Sequence, residues 1–187
     1  MIRGNDIVKK NIKEKLYKIK LLILDVDGVM TDGSIIMDDE GRESKSFNVL
    51  DGHGLKMLQR YGVKVAILTG RKSKVVEYRA NDLGIADVYQ GALNKKEVFE
   101  KILGKHKLST DEVAYVGDDI VDIPALKRVG FSAAVADALD VVKKSVDYVT
   151  KNRSGHGAVR EVCEMILQAQ GTWPEVAKRY EFSEKSY

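Results

Sequence analysis

The sequence predicts an α/β protein built on a doubly wound parallel sheet, and two patterns lead to this prediction. Short apolar segments rich in β-branched residues recur along the chain, and strands of this composition are typical of parallel sheets that helices cover on both faces. Between them lie longer segments whose apolar residues are spaced as on one face of a helix. Strands and helices in strict alternation favour right-handed crossovers between parallel strands.

The expected elements follow from these patterns. Strands are predicted at residues 21–26, 64–68, 87–90, 113–116, 131–135 and 148–149. Helices are predicted at 51–61, 73–83, 95–104, 122–129 and 157–168. The second of these helices has a capping serine, Ser73, at its start and a glycine, Gly84, at its end.

One segment breaks the alternation. Residues 34–37 and 43–47 are predicted as two short strands around the turn Asp38-Asp39-Glu40-Gly41. This hairpin, residues 34–47, inserts after the first strand and is too small to bury a core of its own. We therefore expect its apolar side chains to pack against another surface, for which a neighbouring subunit is a natural candidate.

Composition and charge exclude several classes of protein. Apolar residues make up 44% of the 187 residues and charged residues 32%, which favours a globular chain over a disordered one. The net charge of +3 comes from residues 1–20, which carry seven basic and two acidic side chains. Because the remainder is close to neutral, we expect no nucleic-acid partner. The single cysteine, Cys163, and the lack of an apolar run of about 18 residues predict a cytoplasmic protein with no membrane partner.

We divide the chain into three parts. Residues 1–20 are interpreted as a basic amphipathic helix that turns Ile7, Ile12, Leu16 and Ile19 inward, with a weak contact to an anionic surface as the alternative. Residues 21–170 form the main domain. Residues 171–187 are a polar C-terminal tail without a pattern apart from Trp173, and we assign this tail no function.

Polar side chains follow several predicted strands at the edge where doubly wound sheets bind ligands. They are Asp25 and Asp27 after the first strand, Thr69, Gly70 and Arg71 after the second, Lys95 at the helix after the third, and Asp118, Asp119 and Asp122 after the fourth. Clustered carboxylates repel one another unless a cation holds them, and oxygen ligands favour Mg²⁺. A lysine and a threonine hydroxyl beside such a metal suit phosphate oxygens.

These residues carry a resemblance to a known family. Residues 22–29, 68–71, Lys95 and 116–122 resemble, in order and spacing, the four motifs of haloacid dehalogenase-like phosphatases. One group within this family, the phosphatases of 3-deoxy-D-manno-octulosonate 8-phosphate, is resembled more closely, at residues 27–33, 47–54 and 157–162. This closer resemblance covers nearly all of residues 16–170. This closer resemblance implies lipopolysaccharide biosynthesis, no large cap domain, and a homotetramer in which the hairpins form a central barrel.

The resemblance also implies a role for each motif residue. Asp25 is the nucleophile that forms an aspartyl-phosphate, and Asp27 is the general acid and base. Mg²⁺ is held by Asp25, the backbone carbonyl of Asp27 and Asp118, while Asp119 and Asp122 orient the groups around it. Thr69 and Gly70 hydrogen-bond the phosphoryl group, and Lys95 neutralises its charge.

The implied substrate is a phosphorylated keto-sugar acid, which needs cations for its carboxylate as well as for its phosphate. Candidate substrate-binding residues are Asn48, Asp51, Gly52, Lys56, Arg71 and Arg79. For Lys56 and Arg79, a solvated helix face is the alternative interpretation. Arg153, His156 and Arg160 lie around a Gly-rich stretch that, by resemblance, can reach the site of a neighbouring subunit.

Two departures from the family pattern leave the substrate open. Leu50 stands where relatives often have arginine, and Ser154-Gly155-His156-Gly157 stands where they often have Gly-Gly-Arg-Gly. Each change removes a guanidinium that could bind a carboxylate, so a nine-carbon keto-sugar acid phosphate is an alternative substrate. Two other classes compete, a receiver-type signalling module and a non-catalytic assembly domain of the same fold. The order of the acidic motifs disfavours the first, and retention of Asp25, Asp27, Thr69, Lys95 and Asp118 disfavours the second.

Overall fold

A computed structural model describes residues 4–183, with side chains from residue 11 onward. Its strands are β1 (Leu21–Leu24), β2 (Ile36–Met37), β3 (Glu43–Ser44), β4 (Lys64–Leu68), β5 (Asp87–Tyr89), β6 (Val113–Gly117), β7 (Phe131–Ala134) and β8 (Tyr148–Val149). Six of them form one parallel sheet in the order β5-β4-β1-β6-β7-β8, and β2 pairs antiparallel with β3. The doubly wound sheet and the inserted hairpin predicted from the sequence are confirmed.

The helices are α1 (Gly4–Tyr17), α2 (Val49–Arg60), α3 (Lys74–Leu83), α4 (Lys95–His106), α5 (Ile123–Leu126), α6 (Asp140–Lys143), α7 (Ala158–Ala169) and α8 (Trp173–Arg179). Short 3₁₀ turns span Thr110–Glu112 and Ile120–Asp122. The predicted helix over 122–129 is wrong in extent, because only α5 is α-helical there. The Asp122 carboxylate accepts the backbone N–H groups of Asp118 and Asp119, and these bonds close a tighter turn before α5 begins.

Buried strands place β1 at the centre of the molecule. All four residues of β1 and all five of β6 are buried, as the uniformly apolar pattern of these segments predicts. Leu24 pairs with Ile67 of β4 and with Val116 of β6. The three strands therefore end side by side, and the residues that follow them leave the sheet at one edge.

Helices α2 and α7 pack closely against each other, and Asp51 joins them. The buried Asp51 carboxylate accepts the backbone N–H of Arg160 at 2.7 Å and that of Gly157 at 3.3 Å, so it caps the first turn of α7. A Cβ atom at Gly54 would lie 3.0 Å from Cδ of Arg160, and glycine at this position lets the two helices approach.

The chain termini contribute to the core. Helix α1 lies within the basic segment, where Leu16 is buried and Ile12 packs against the core, while the side chain of Ile7 lies outside the described residues. Ile19, two residues after the helix ends, is buried as well. The interpretation of residues 171–187 as an unpatterned tail is corrected by α8, which buries Trp173, Val176 and Ala177. Residues 184–187 lie outside the described part. No helix between residues 4 and 183 has the length and hydropathy needed to cross a bilayer.

We predict that Trp173→Ala lowers the free energy of unfolding by about 3 kcal/mol, because it removes a large buried side chain and leaves a cavity. The indole is 7% exposed, and its ring centroid lies 5.9 Å from that of Phe182. Urea unfolding followed by circular dichroism measures this change. Glu175→Ala, an exposed position of the same helix, is the control, and an equal loss in both variants would contradict the assignment of α8 to the core.

Candidate active site

Three carboxylates meet at the edge of the sheet where β1 and β6 end. Asp25 follows β1, Asp118 follows β6, and Asp122 ends the 3₁₀ turn beyond it. One carboxylate oxygen of each lies within 4.8 Å of those of the other two. The predicted convergence of strand-end carboxylates is thus a property of the fold, since the register of β1 with its two neighbours brings these loops together.

A single buried ammonium lies between two of these carboxylates. Nζ of Lys95, at the first residue of α4, donates to Asp25 Oδ2 at 2.5 Å and to Asp122 Oδ1 at 2.6 Å. Burial alone would lower the pKa of Lys95, but the two carboxylates outweigh it and raise that pKa. The lysine is therefore a permanent cation at this site.

Hydrogen bonds to both carboxylate oxygens hold the side chain of Asp25 in one orientation. Its Oδ1 accepts the backbone N–H of Val26 at 2.7 Å, and its Oδ2 accepts Lys95. Burial raises the pKa of Asp25 to about 6, against the opposing effect of Lys95 and with a further increase from Asp122. The side chain is 9% exposed, so a reacting group that approaches it meets a nearly dry site.

Asp118 shows why a cation fits here. Within residues 4–183, its buried Oδ1 has no hydrogen-bond partner, and such an oxygen is costly to bury unless something else binds it. Burial together with the charges of Asp122 and Asp25 raises the pKa of Asp118 to about 8. Oxygen ligands and excess negative charge match the chemistry of the predicted cofactor, Mg²⁺.

Asp122 is suited to orient the site rather than to ligate a metal. Its Oδ1 accepts the hydroxyl of Tyr115 at 2.7 Å in addition to Lys95, and its Oδ2 accepts two backbone N–H groups. Both oxygens are therefore engaged. Tyr115 is a site residue that the sequence analysis missed, because a tyrosine inside an apolar strand is indistinguishable in sequence from a core residue. Asp119 caps the 3₁₀ turn by accepting the N–H of Ile120 at 2.6 Å.

Close approach of the loops depends on glycine. A Cβ atom at Gly28, whose φ is +79°, would lie 2.1 Å from Oδ2 of Asp118. Only glycine, which has no Cβ atom, can adopt this backbone conformation at such a close contact. The loop after β1 therefore reaches the loop after β6 only because Gly28 follows Asp27.

The Thr69-Gly70 turn lies at the end of β4. Thr69 is 2% exposed, and its backbone N–H donates to the carbonyl of Tyr89. A Cβ atom built at Gly70 would have no described heavy atom within 4 Å. The turn thus presents open space beside a buried hydroxyl, as a phosphate site requires.

Asp27 lies in a ring of charged side chains that the hairpin completes. Its Oδ1 forms an ion pair with Nζ of Lys45, and its Oδ2 lies 3.6 Å from Nε of Arg71. Glu43 contacts both cations, at 3.3 Å from Lys45 and 3.0 Å from Arg71. Arg71 was predicted from the sequence as a site residue, whereas Lys45 and Glu43 were not. Their alternation along a predicted strand was the available signal, because it puts both side chains on one face.

The remaining candidates for substrate binding have structural roles in this chain. Asn48 caps α2 by accepting the N–H groups of Leu50 and Asp51, and Asp51 caps α7. Gly52 gives room to the guanidinium of Arg79, which would lie 2.3 Å from a Cβ atom there. Arg79 also stacks over Phe47, while Lys56 lies on the surface 4.0 Å from Asp82. No hydrogen bond or ion pair described between residues 11 and 183 joins these five residues to the carboxylate cluster.

The Gly-rich stretch before α7 packs against the chain's own loop after β1. The N–H of Gly155 donates to the carbonyl of Val29 at 3.0 Å, and a Cβ atom at Gly155 would lie 2.8 Å from the backbone of Asp32. Nδ1 of His156 lies 2.8 Å from the carbonyl oxygen of Ser154, and Arg153 pairs with Asp137. The stretch therefore lies close to the motif that carries Asp25 and Asp27.

We predict that Asp118→Asn stabilises the metal-free protein at high pH. In a chelator, wild-type Asp118 with its pKa near 8 keeps a proton that the unfolded chain loses near the ordinary aspartate pKa of 3.8. The free energy of unfolding therefore falls as the pH rises from about 4 to 8, and this loss is complete above pH 8. The side-chain amide of the variant does not titrate, so its free energy of unfolding does not fall in this way. That free energy is expected to exceed the wild-type value by about 1 kcal/mol or more at pH 9 and by less at pH 5.

Urea unfolding in EDTA at pH 5, 7 and 9 measures this difference. Addition of Mg²⁺ at pH 9 is expected to stabilise wild type more than the variant, because a bound ion stabilises the folded state that holds it. A variant that is less stable than wild type at pH 9 in EDTA would contradict the repulsion inferred at this site.

Comparisons with known proteins agree with this site. Residues 73–162 match the model of a family described as haloacid dehalogenase-like hydrolase. The chain is 48% identical over 168 residues to 3-deoxy-D-manno-octulosonate 8-phosphate phosphatase of Escherichia coli K12, covering 90% of this chain and 89% of that protein. The crystal structure of the enzyme of that name from Yersinia pestis is 45% identical with a TM-score of 0.87, covering 88% of this chain and 89% of the other.

A second solved structure is the 3-deoxy-D-manno-octulosonate 8-phosphate phosphatase of Moraxella catarrhalis, described as a complex with a magnesium ion, a phosphate ion and a KDO molecule. It is 39% identical with a TM-score of 0.90, and the match covers 91% of this chain and 98% of that one. Similarity of this extent, together with the carboxylate cluster, shows the family. The chain belongs to the haloacid dehalogenase-like hydrolases and is a phosphatase.

Proposed function

We propose that this protein hydrolyses 3-deoxy-D-manno-octulosonate 8-phosphate to the free keto-sugar acid and phosphate, through an aspartyl-phosphate on Asp25 and with Mg²⁺ as the cofactor. The observation that supports it most directly is the buried Asp25 carboxylate, fixed by Lys95 beside the unpartnered oxygen of Asp118. The relatives that match about nine-tenths of the chain carry the name of this activity.

The first half of the proposed reaction is phosphoryl transfer to Asp25. An oxygen of Asp25 attacks phosphorus in line, and the bond between phosphorus and the sugar oxygen breaks. Asp27, in its protonated form, gives its proton to that oxygen. Lys95, a fixed cation beside Asp25, balances the charge that builds up on the phosphoryl group, and Thr69 with Gly70 binds its oxygens.

The second half is hydrolysis of the aspartyl-phosphate. A water attacks phosphorus, its proton returns to Asp27, and phosphate leaves as the Asp25 carboxylate is restored. When bound, Mg²⁺ neutralises carboxylate and phosphoryl charge at the cluster. Asp25, the backbone carbonyl of Asp27 and Asp118 would hold it, and Asp119 and Asp122 would orient the groups around it.

Arg71 is the proposed contact for the sugar acid. Its side chain is 46% exposed and lies at the outer side of Asp27, so a guanidinium is available at the mouth of the site for the substrate carboxylate. The alternative substrate, a nine-carbon keto-sugar acid phosphate, is favoured by a separate observation. Leu50 and His156, the two departures from the family pattern, line one surface cavity together with Arg160, so both changes alter the same place.

A phosphate-release screen distinguishes these substrates. Wild type with Mg²⁺ is offered eight- and nine-carbon keto-sugar acid phosphates, a hexose phosphate and a nucleotide. The proposal expects the highest kcat/KM for the eight-carbon acid and a loss of activity in chelator that Mg²⁺ restores. A higher kcat/KM for the nine-carbon acid would favour the alternative substrate, and no release from any ester would favour a non-catalytic assembly domain.

We predict that Asp25→Asn abolishes turnover and leaves the fold intact, because an amide cannot act as the nucleophile. Asp27→Asn is expected to lose about 10²-fold or more, since both proton transfers lose their carrier. Phosphate release is the measurement, with circular dichroism to check folding and Asp39→Asn, in the exposed hairpin turn, as the control. Near-normal turnover by Asp25→Asn would overturn the proposed mechanism.

We further propose a cytoplasmic homotetramer assembled through the hairpin, with lipopolysaccharide biosynthesis as its setting. Exposed apolar side chains on the hairpin support this assembly, because Ile35, Ile36 and Met37 are 50–60% exposed and a two-stranded ribbon is marginal alone. Light scattering is expected to give about four times the 20.8 kDa of one chain. Ile36→Lys combined with Met37→Lys is expected to reduce that mass, and a wild-type mass equal to that of one chain would contradict the proposal.

A further inference from the structure

The hairpin carries one side chain that is unlike the rest of it. Ile36 and Met37 on β2 are 50% and 60% exposed, whereas the side chain of Lys45, one residue after β3, is 0% exposed. Burial of an ammonium is costly unless carboxylates pair with it. Lys45 has two such partners, Asp27 and Glu43. The exposed hairpin thus places the buried ammonium of Lys45 against Asp27, the residue proposed as general acid and base.

Contacts on both sides along the chain fix the position of Lys45. Glu43 of β3 pairs with it on one side, and Phe47 follows two residues later on the other. Phe47 packs against the core, and the guanidinium of Arg79 lies 5.6 Å from its ring centroid. This part of the hairpin is therefore anchored, which leaves the ammonium of Lys45 little freedom to leave Asp27.

The two oxygens of Asp27 face different partners. Oδ1 contacts the fully buried Lys45, whereas Oδ2 lies 3.6 Å from Nε of Arg71, whose side chain is 46% exposed. Arg71 can turn towards an arriving anion, and Glu43, 3.0 Å from Nη2, neutralises it until then. Lys45 has no such route to solvent. One oxygen of Asp27 is thus held permanently, and the other becomes available when Arg71 binds substrate.

We propose that Lys45 is the positioning residue of the acid–base carboxylate: it fixes Oδ1 of Asp27, so that Oδ2 is the oxygen that exchanges the proton. This inference rests on the proposed function. As the bond from phosphorus to the sugar oxygen breaks and the bond to Asp25 forms, the proton on Oδ2 moves to the sugar oxygen. The water that hydrolyses the aspartyl-phosphate returns a proton to Oδ2, so protons balance over the cycle.

Leaving groups that differ in their need for a proton test this role. A sugar alkoxide must be protonated as it leaves, whereas 4-nitrophenolate leaves as a stable anion. The rate of the first turnover, measured by rapid mixing with Mg²⁺ present, isolates phosphoryl transfer from later hydrolysis. For Lys45→Met we expect that rate to fall about 10²-fold with the sugar phosphate and less than about threefold, measured as the release of 4-nitrophenolate, with 4-nitrophenyl phosphate, which does not need the proton.

Matched variants separate this effect from a general change in the hairpin. Arg42→Met removes a hairpin cation whose side chain is 69% exposed and pairs with Asp38 and Glu40, and it is expected to leave both rates unchanged. Lys45→Arg keeps the charge, and its first-turnover rate with the sugar phosphate is expected to be at least tenfold higher than that of Lys45→Met. If Lys45→Met does not fold, as judged by circular dichroism, Lys45→Gln takes its place in the same comparison.

Equal losses with both esters, or no loss with the sugar phosphate, would overturn the role of Lys45. Failure of the proposed substrate is a separate result, because it is read from wild type in the phosphate-release screen. In that case the comparison is made with whichever alkyl phosphate wild type hydrolyses. A selective loss with the alkyl ester would then still support the positioning of Asp27 by Lys45.

Discussion

The ammonium of Lys95 is the interaction around which the site is organised, because it holds together carboxylates that would otherwise repel one another. It lies 2.5 Å from Asp25 Oδ2 and 2.6 Å from Asp122 Oδ1, whereas Oδ1 of the third carboxylate, Asp118, has no hydrogen-bond partner among the described residues. One cation among three carboxyl groups leaves an excess of negative charge. Burial, together with the neighbouring carboxylates, raises the pKa of Asp25 to about 6 and that of Asp118 to about 8, against the opposing effect of Lys95. A site arranged in this way favours a divalent cation, whose charge can in turn attract a phosphoryl group.

The parallel sheet brings the carboxylates to one edge, and glycines in the loops let them approach one another. Strands β1 and β6 are adjacent and in register, so the residues after them emerge together at one edge. Two glycines, Gly28 and Gly117, then leave room for the carboxylates, since Cβ atoms there would lie 2.1 Å from Asp118 and 2.6 Å from Asp122. The charge density of the site is therefore a property of backbone geometry as much as of the acidic residues themselves.

The sequence predicted what depends on local order and missed what depends on packing. Asp25, Thr69 and Asp118 could be predicted because each directly follows a strand, and strand ends converge in any doubly wound sheet. Tyr115 could not, because its importance arises from a contact across the fold with Asp122, and Lys45 was missed although its alternation with Glu43 along a predicted strand was visible in the sequence. The carboxylate of Asp51, which was predicted to bind substrate, caps α7 in the structure, and its contact with substrate stays a prediction.

The hairpin connects the outside of the molecule to its chemistry. β2 carries exposed apolar side chains, whereas Glu43 of β3 and Lys45 just after it form the charged cluster around Asp27. A ribbon with only two paired residues in each strand has little stability of its own, so whatever covers its exposed apolar side chains also limits the movement of Glu43 and Lys45. Assembly through the hairpin would thus hold Lys45 against Asp27 as well as shield apolar surface. In a phosphatase with a single compact sheet, this small insertion can supply the order that a separate cap domain supplies elsewhere, because it fixes a charged group at the mouth of an otherwise open site.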